Sequence, residues 1–306
     1  MNQKLVIATR ESPLALWQAN FVKAQLETHH DGLRVELLAM RTQGDRWLQS
    51  PLSEVGGKGL FIKELEQALV DGRADIAVHS MKDVPAILEA PFALPVIGFR
   101  DDVRDALVTA DGRGLADIAN GARIGSASLR RQSQLRARRP DLRVEPIRGN
   151  VGTRLGKLES GQYDALLLAS AGLKRLNMVE RIAEYLEVED SLPAAGQGAL
   201  GIECLVAAEN VQALIAPLND PRVSACVSAE RHVSAGLGAD CSAPLGAHAV
   251  LAGSTLHLRA VLATPDGSRL LRAAATGTDS REVAAEVVAA LLAQGAAELL
   301  DTLDLP

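Results

Sequence analysis

Short apolar runs alternate with amphipathic stretches over the first two-thirds of this 306-residue chain, and that alternation constrains the fold more than any other feature. Leu5-Val6-Ile7-Ala8, Val35 to Met40 and Asp75-Ile76-Ala77-Val78-His79 read as strands, the last of them apolar on both faces. Strands buried on both faces belong to parallel sheets covered by helices. Between the strands, Ser12 as N-cap and Pro13 at the first helical position open a helix that runs through Leu26. Phe61, Leu65 and Leu69 share one face of a second helix, over Phe61 to Val70. The rhythm predicts an open, doubly wound α/β unit.

The pattern restarts after Arg100-Asp101-Asp102. Ala106 to Val108, Ala122 to Gly125, Leu142 to Ile147 and Ala165 to Ala169 are expected strands, with helices from near Ser128, Thr153 and Ala171. Ser191-Leu192-Pro193-Ala194-Ala195-Gly196 reads as a crossover back to the first unit, and Leu200 to Leu205 is strand-like. The last third changes character. A helix over Pro221 to Val233 precedes strands at Ala247 to Ala252, Thr255 to Ala263 and Arg269 to Thr276, then a helical region from Arg281 to Leu300. Thr264-Pro265-Asp266-Gly267 marks a hairpin turn. The expected division is residues 1–98 with 199–217, residues 104–192, and a small α+β unit over 221–306.

Charge and cysteine usage narrow the function. Thirty-two basic residues against thirty-eight acidic ones leave a net charge of −6, which disfavours a general nucleic-acid binder. Only 3% of residues are aromatic, too few for base-stacking platforms. Cys204, Cys226 and Cys241 are odd in number and widely spaced, so neither a disulfide framework nor a zinc site is expected. A reducing compartment is the natural reading. Leu5 to Ala8 is too short for a signal-peptide core, and Val283 to Leu300 is interrupted by Glu286, Gln294 and Glu298. A soluble, cytoplasmic protein is expected, with no metal, no membrane and no nucleic acid.

Several motifs carry chemistry. Gly56-Gly57-Lys58-Gly59 lacks the outer glycine and the Ser/Thr of a phosphate loop, leaving either a loop that presents Lys58 to an anion or a plain turn. Gly196-Gln197-Gly198-Ala199-Leu200-Gly201 matches a dinucleotide fingerprint in letters only: a crossover precedes it and a strand follows. It reads as a hinge. Ser126-Ala127-Ser128-Leu129-Arg130-Arg131 lies at a strand-to-helix junction, where backbone N–H groups favour anions. Arg148-Gly149-Asn150-Val151-Gly152-Thr153-Arg154 and Ala171-Gly172-Leu173-Lys174-Arg175 repeat that design. Arg130, Arg131, Arg148, Arg154 and Arg175 are therefore expected to converge on a polycarboxylate or phosphate. Arg136, Arg138 and Arg139 read as a solvated helix face. His79-Ser80-Met81-Lys82-Asp83-Val84-Pro85 sets Lys82 and Asp83 at a strand's C-terminal edge, where open α/β sheets place chemistry; His79 itself reads as a core histidine. Cys204 and Cys226 sit among apolar residues and read as structural, and Gly238 to Gly246 is a loop holding Cys241, which on its residues alone reads first as a small buried cysteine.

Taken together, these segments resemble the porphobilinogen deaminase (hydroxymethylbilane synthase) family. The matching stretches are Ile7 to Gln18, Gly56 to Phe61, Ala74 to Pro85, Ser128 to Arg131, Arg148 to Leu155 and Leu192 to Gly198, in consistent order nearly end to end. The resemblance implies two periplasmic-binding-protein-like α/β domains and a third carrying the cofactor loop. It implies a transferase of haem and tetrapyrrole biosynthesis. Such an enzyme condenses four porphobilinogens stepwise, with loss of ammonia, onto a dipyrromethane primer held by a thioether, and hydrolysis releases hydroxymethylbilane. By the same resemblance Asp83 is the catalytic acid and Cys241 the attachment point. Arg10, Ser12, Lys58, Ser80, Lys82, Ser126, Ser128, Arg130, Arg131, Arg148, Asn150, Arg154, Arg175 and Gln197 are contacts to cofactor, substrate or growing polypyrrole, and a monomer is expected.

Two positions depart from the family pattern. Ala239-Asp240 stands where Gly-Gly is common before the cysteine, and a carboxylate beside a thiol disfavours the thiolate. Glu54 stands where relatives often carry Lys. The competing reading is a non-catalytic anion-binding module on the same scaffold.

Overall fold

The computed structural model describes residues 3–46, 62–240 and 242–303. The first sheet takes β1 (Gln3–Arg10), β2 (Leu33–Met40) and β3 (Ile76–Ser80) in parallel. Helix α1 (Pro13–His29) lays Ala19, Val22 and Leu26 on Leu5, Ile7, Ile76 and Val78. A short α2 (Gln43–Arg46) follows β2. Then α3 (Lys63–Val70) packs Leu65 and Leu69 on Ala8 and Ala77 of the opposite face. Alternate residues of one strand thus serve two helical layers, which is why the run is apolar throughout.

The sheet is completed by β4 (Phe92–Gly98) and by β10 (Leu200–Leu205), giving the order β2-β1-β3-β10-β4. β10 runs antiparallel to both neighbours, so the sheet is mixed rather than parallel throughout. β4 has no counterpart in the sequence reading, and Pro95 is the reason it reads poorly. A proline cannot donate to a ladder, and it is tolerated here because β4 is an edge strand whose register shifts opposite Ile202 and Cys204.

The second sheet repeats this plan without any repeat in sequence. β5 (Asp105–Thr109), β6 (Arg123–Gly125), β7 (Arg143–Glu145), β8 (Ala165–Ala169) and β9 (Glu184–Leu186) take the order β7-β6-β8-β5-β9. β6, β7 and β8 are parallel, and β5 is antiparallel to both β8 and β9. Helices α4 (Leu129–Arg138) and α5 (Val151–Glu159) cover opposite faces, through Leu135 and through Leu155 and Leu158. Each fully buried leucine is worth about 2 kcal/mol. α6 (Ser170–Arg175) follows β8 directly.

In each sheet the odd strand is the one that has just crossed over. The two crossovers are fastened together: Asp101 N–H donates to the Gly198 carbonyl at 3.0 Å, and Gln197 Nε2 donates to the Val103 carbonyl at 2.6 Å. Gly198 is required there, since its φ is +86° and a Cβ would lie 2.5 Å from the Asp101 carbonyl oxygen.

After α7 (Glu209–Ile215), the chain forms α8 (Pro221–Gly236), the antiparallel strands β11 (Leu245–Ala252), β12 (Thr255–Ala263) and β13 (Leu270–Gly277), then α9 (Ser280–Ala293) and α10 (Ala296–Asp301). Gly295, at φ +92°, divides the single C-terminal helical region expected from sequence into α9 and α10. Ala229, Val233, Leu258, Val287 and Leu291 lie in the core of this small α+β unit. The fold is thus α/β, with two sheet-and-helix domains and a small C-terminal three-stranded domain. Among the described residues no helix is long and apolar enough to cross a membrane, and no three His, Cys, Asp or Glu side chains are placed to hold a metal.

Candidate functional site

The C-terminal edges of the parallel strands carry nearly every residue singled out from sequence. In the first sheet, Arg10 ends β1 and Ser12 caps α1, its Oγ accepting from Ala15 N–H at 3.3 Å. Ser80 ends β3, its Oγ accepting from Gln18 Nε2 at 2.8 Å. A single 3₁₀ turn, Met81–Asp83, follows at once and projects Asp83 into solvent while Met81 is buried beneath it.

In the second sheet the same edge holds the helix starts. Ser128 caps α4 with its Oγ 3.5 Å from Arg131 N, and Ser128 N–H in turn donates to buried Ser126 Oγ at 3.3 Å. Asn150 caps α5, its Oδ1 accepting from the N–H and the hydroxyl of Thr153 at 2.9 and 3.0 Å. Gly149, at φ +108°, lets the chain turn tightly over Thr153.

Electrostatic coupling shows that the two edges face each other. Lys82 feels Arg131, Asp83, Asp105 and Arg130, and Arg154 feels Arg131, Asp83 and Arg148. Crowding by protein atoms lowers the Lys82 ammonium to about 8, although part of the side chain still touches solvent, and Arg131 pushes the same way. Burial and Arg131 likewise lower Arg154 to about 10. Arg148 is lowered by burial, and its Nη2 is buried with no hydrogen-bond partner among the described residues. Cations this uncomfortable gain most from an incoming carboxylate. The edge of the first sheet thus presents exposed Asp83 beside Lys82, and the edge of the second presents Arg131, Arg148 and Arg154.

Arg130 and Arg131 do more structural work than expected. Both are buried, and both are committed to Asp105. Arg130 forks onto its carboxylate at 2.7 and 3.1 Å, Arg131 Nε donates at 2.8 Å, Ser191 Oγ at 2.7 Å and Gln197 Nε2 at 3.0 Å. Burial alone would raise the Asp105 carboxyl, but the two guanidiniums overcome it and hold the group far below the ordinary range. Two buried cations on one buried anion leave an excess positive charge facing Asp83. Gln197 closes the network, its Oε1 accepting from Arg130 and Arg131 at 3.3 Å each.

Arg175 takes a different place from Arg131 and Arg154. Its Nη2 donates to the carbonyls of Phe99 and Gly198, at 3.3 and 2.6 Å, and its guanidinium lies 5.6 Å from the Trp17 ring centroid. The structure sets it as a strut on the crossovers. The solvated face expected for Arg136, Arg138 and Arg139 holds only for Arg138, which is exposed beside Asp190. Arg136 donates to the Pro265 and Val144 carbonyls, and Arg139 to those of Leu115 and Ile118. His79 is buried with Glu203, Nε2 to Oε2 at 2.7 Å.

Lys58, Glu54 and Cys241 lie outside the described residues. Around the last of these, Ala239 is buried in the C-terminal core, and Asp240 Oδ1 accepts the Ser242 N–H at 2.8 Å. The Asp240 carboxylate is therefore engaged in a local turn. The other two thiols are buried: burial and Glu203 push Cys204 up to about 11, and burial raises Cys226.

Sequence reasoning missed Asp105, Arg100, Glu230 and Arg231. Glu230 is fully buried, accepts a fork from Arg100 at 2.8 and 3.1 Å, and also takes the N–H groups of Gly196 and Ala249. The available signal was a charged residue inside an apolar strand or helix face, which requires a buried partner.

The chain is similar to known proteins over nearly all of its length. The family model described as "Porphobilinogen deaminase, dipyromethane cofactor binding domain" matches residues 5–213, and that for the family's C-terminal domain matches residues 224–293. The chain is 54% identical over 310 residues to a Bordetella parapertussis protein named porphobilinogen deaminase, covering 99% of each. It is 54% identical over 301 residues to one of the same name from Thiobacillus denitrificans, covering 98% of each. Among solved structures, a periplasmic aliphatic sulphonate binding protein from Escherichia coli aligns with a TM-score of 0.42 and 14% identity, over 76% of this chain and 69% of that one. The two family domains span the chain in the order its sheets were built, and the chain belongs to the porphobilinogen deaminase family.

Proposed function

We propose that this protein condenses four porphobilinogens in turn, releasing ammonia each time, and frees the linear tetrapyrrole hydroxymethylbilane by hydrolysis. The observation that carries the reading is the juxtaposition of exposed Asp83 with Lys82, Arg131 and Arg154. The residues suit dipyrromethane: its carboxylate side chains match these cations and Arg148 Nη2, which has no hydrogen-bond partner among the described residues, and its pyrrole N–H groups match the Asp83 carboxylate. Bound by a thioether to Cys241, that group supplies the primer pyrrole whose free α-carbon accepts the first unit.

The protein's own residues then have separate tasks. Lys82, Arg131, Arg148 and Arg154 hold the two carboxylates that each porphobilinogen brings, with the capping segments at Ser126, Ser128 and Asn150 shaping the floor. Arg10, Ser12, Ser80 and Lys58 extend the binding edge. Arg130, Gln197 and Arg175 act behind it, holding Arg131 and the crossovers in place. The aminomethyl C–N bond breaks and ammonia leaves, placing positive charge on the substrate's pyrrole nitrogen. Asp83 accepts that N–H and stabilises the developing charge electrostatically. A new C–C bond forms, and Asp83 takes up the α-proton that must then depart. The acid and the thiol come from one chain, so a monomer suffices, and we assign it to the cytoplasm.

Incubation with porphobilinogen tests the reading. Consumption with release of ammonia, and an intact mass raised by a pyrrolic adduct that maps to Cys241, are expected. Reversible binding without ammonia would leave only the anion-binding module. Lys82 supplies a pH signature. It is cationic below about 8 and neutral above, and only the cation holds a carboxylate. kcat/KM is therefore expected to fall as pH rises through about 8, and Lys82→Arg to move that limb alkaline. A limb left at its original pH in Lys82→Arg would take Lys82 out of substrate binding.

A further inference from the structure

Arg231 sits on α8, in the C-terminal domain, yet its guanidinium reaches the turn that carries Asp83. Nη1 donates to the Val84 carbonyl at 3.1 Å, and Nη2 to the carbonyls of Pro85 and Ala86 at 2.7 and 3.1 Å. These are the residues immediately after Asp83. No backbone hydrogen bond among the described residues reaches these carbonyls. At its other end α8 runs into the cysteine loop. The chain between is tied back to the helix: Gly238 N–H donates to Ala235 at 3.1 Å and Ala239 N–H to Ser234 at 2.9 Å, while Leu237 and Ala239 are buried. One side chain therefore bridges the segment adjoining Asp83 and the helix leading to Cys241.

We propose that Arg231 is a positioning residue that sets Asp83 in register with the cysteine-borne primer. The proposal rests on the roles assigned above to Asp83 and Cys241. Its physical basis is cost against use. Arg231 is largely enclosed, burial lowers it to about 10, and its hydrogen bonds among the described residues go to carbonyls and to no carboxylate. For stability alone, an apolar side chain of similar volume would serve as well. A flat fork is the group that can hold adjacent carbonyls in one fixed arrangement, and a lysine ammonium is not an equivalent.

The test uses the cofactor-loaded full-length enzyme, with Arg231→Met, Arg231→Lys and, as a stability control in the C-terminal core, Val287→Ala. Arg231→Met is expected to load cofactor normally by intact mass and to keep KM within about twofold while kcat falls about 100-fold, the scale of a misplaced catalytic group, with Arg231→Lys intermediate. Val287→Ala lowers the melting temperature but leaves kcat per loaded molecule unchanged. In an Asp83→Ala background, Arg231→Met adds no further loss. Unchanged kcat per loaded molecule in Arg231→Met, loss of loading, an effect confined to KM, or additive losses in the double variant would each overturn the proposal. Normal turnover of Asp83→Ala by itself would instead remove the reading of Asp83.

Discussion

Asp83→Ala is expected to lower turnover by about 10³-fold while leaving thermal unfolding unchanged, because one carboxylate both stabilises the developing cation and receives the proton. The fold is indifferent to this side chain. Asp83 is exposed, and among the described residues no hydrogen bond or ion pair holds its carboxylate. The 3₁₀ turn is set instead by buried Met81, whose carbonyl takes Val84 N–H at 3.2 Å, and by Arg231 behind it. Asp83→Glu keeps the charge and shifts it by one methylene, and an intermediate loss of about 10²-fold is expected. Ammonia release in single-turnover assays on cofactor-loaded enzyme checks both. Near-normal turnover of Asp83→Ala would transfer the chemistry elsewhere.

Asp105→Ala is expected to be the most destabilising single change in the second domain, by about 3–5 kcal/mol, since it strands two buried guanidiniums without their anion. It also cuts the link to Gln197 and Ser191 and so loosens the crossover joining the domains. Urea unfolding at neutral pH measures the loss. The acid limb gives a second check with a fixed sign. The native carboxyl is held far below its unfolded value of about 3.9, so its contribution is complete above that pH and lost as pH falls below it. The stability gap between wild type and Asp105→Asn should therefore narrow in acid. A gap independent of pH would mean that packing rather than charge dominates at this position.

Legibility from sequence followed the range of the interactions. Ser12 and Ser128 were readable as helix starts because a cap acts on the next three residues, whereas the start expected near Thr153 lies at Asn150; the strands at Leu5, Asp75 and Ala165 were readable because burial on both faces leaves an unbroken apolar run. β4 was not readable, since its proline is admissible only on an edge at a register shift, and neither is a local property. The protein partners of Arg130 and Arg175 were not readable, because a strand-end guanidinium has the same local signature whether it faces a substrate or a distant residue. Their partners, Asp105 and Gly198, lie 25 and 23 positions away.

The sequence by itself determined the alternation of strand and helix, the helix starts along the binding edge, and the motif that places Lys82 and Asp83 at a strand end. Each of these depends on periodicity or on neighbours within one helical turn. Tertiary structure alone decided that both sheets carry an antiparallel strand, that Asp105 pairs with both Arg130 and Arg131, and that Arg231 reaches across to the Asp83 turn. Those outcomes depend on which distant chain segments become neighbours once water is excluded, because a buried charge must find its partner wherever folding brings one within reach.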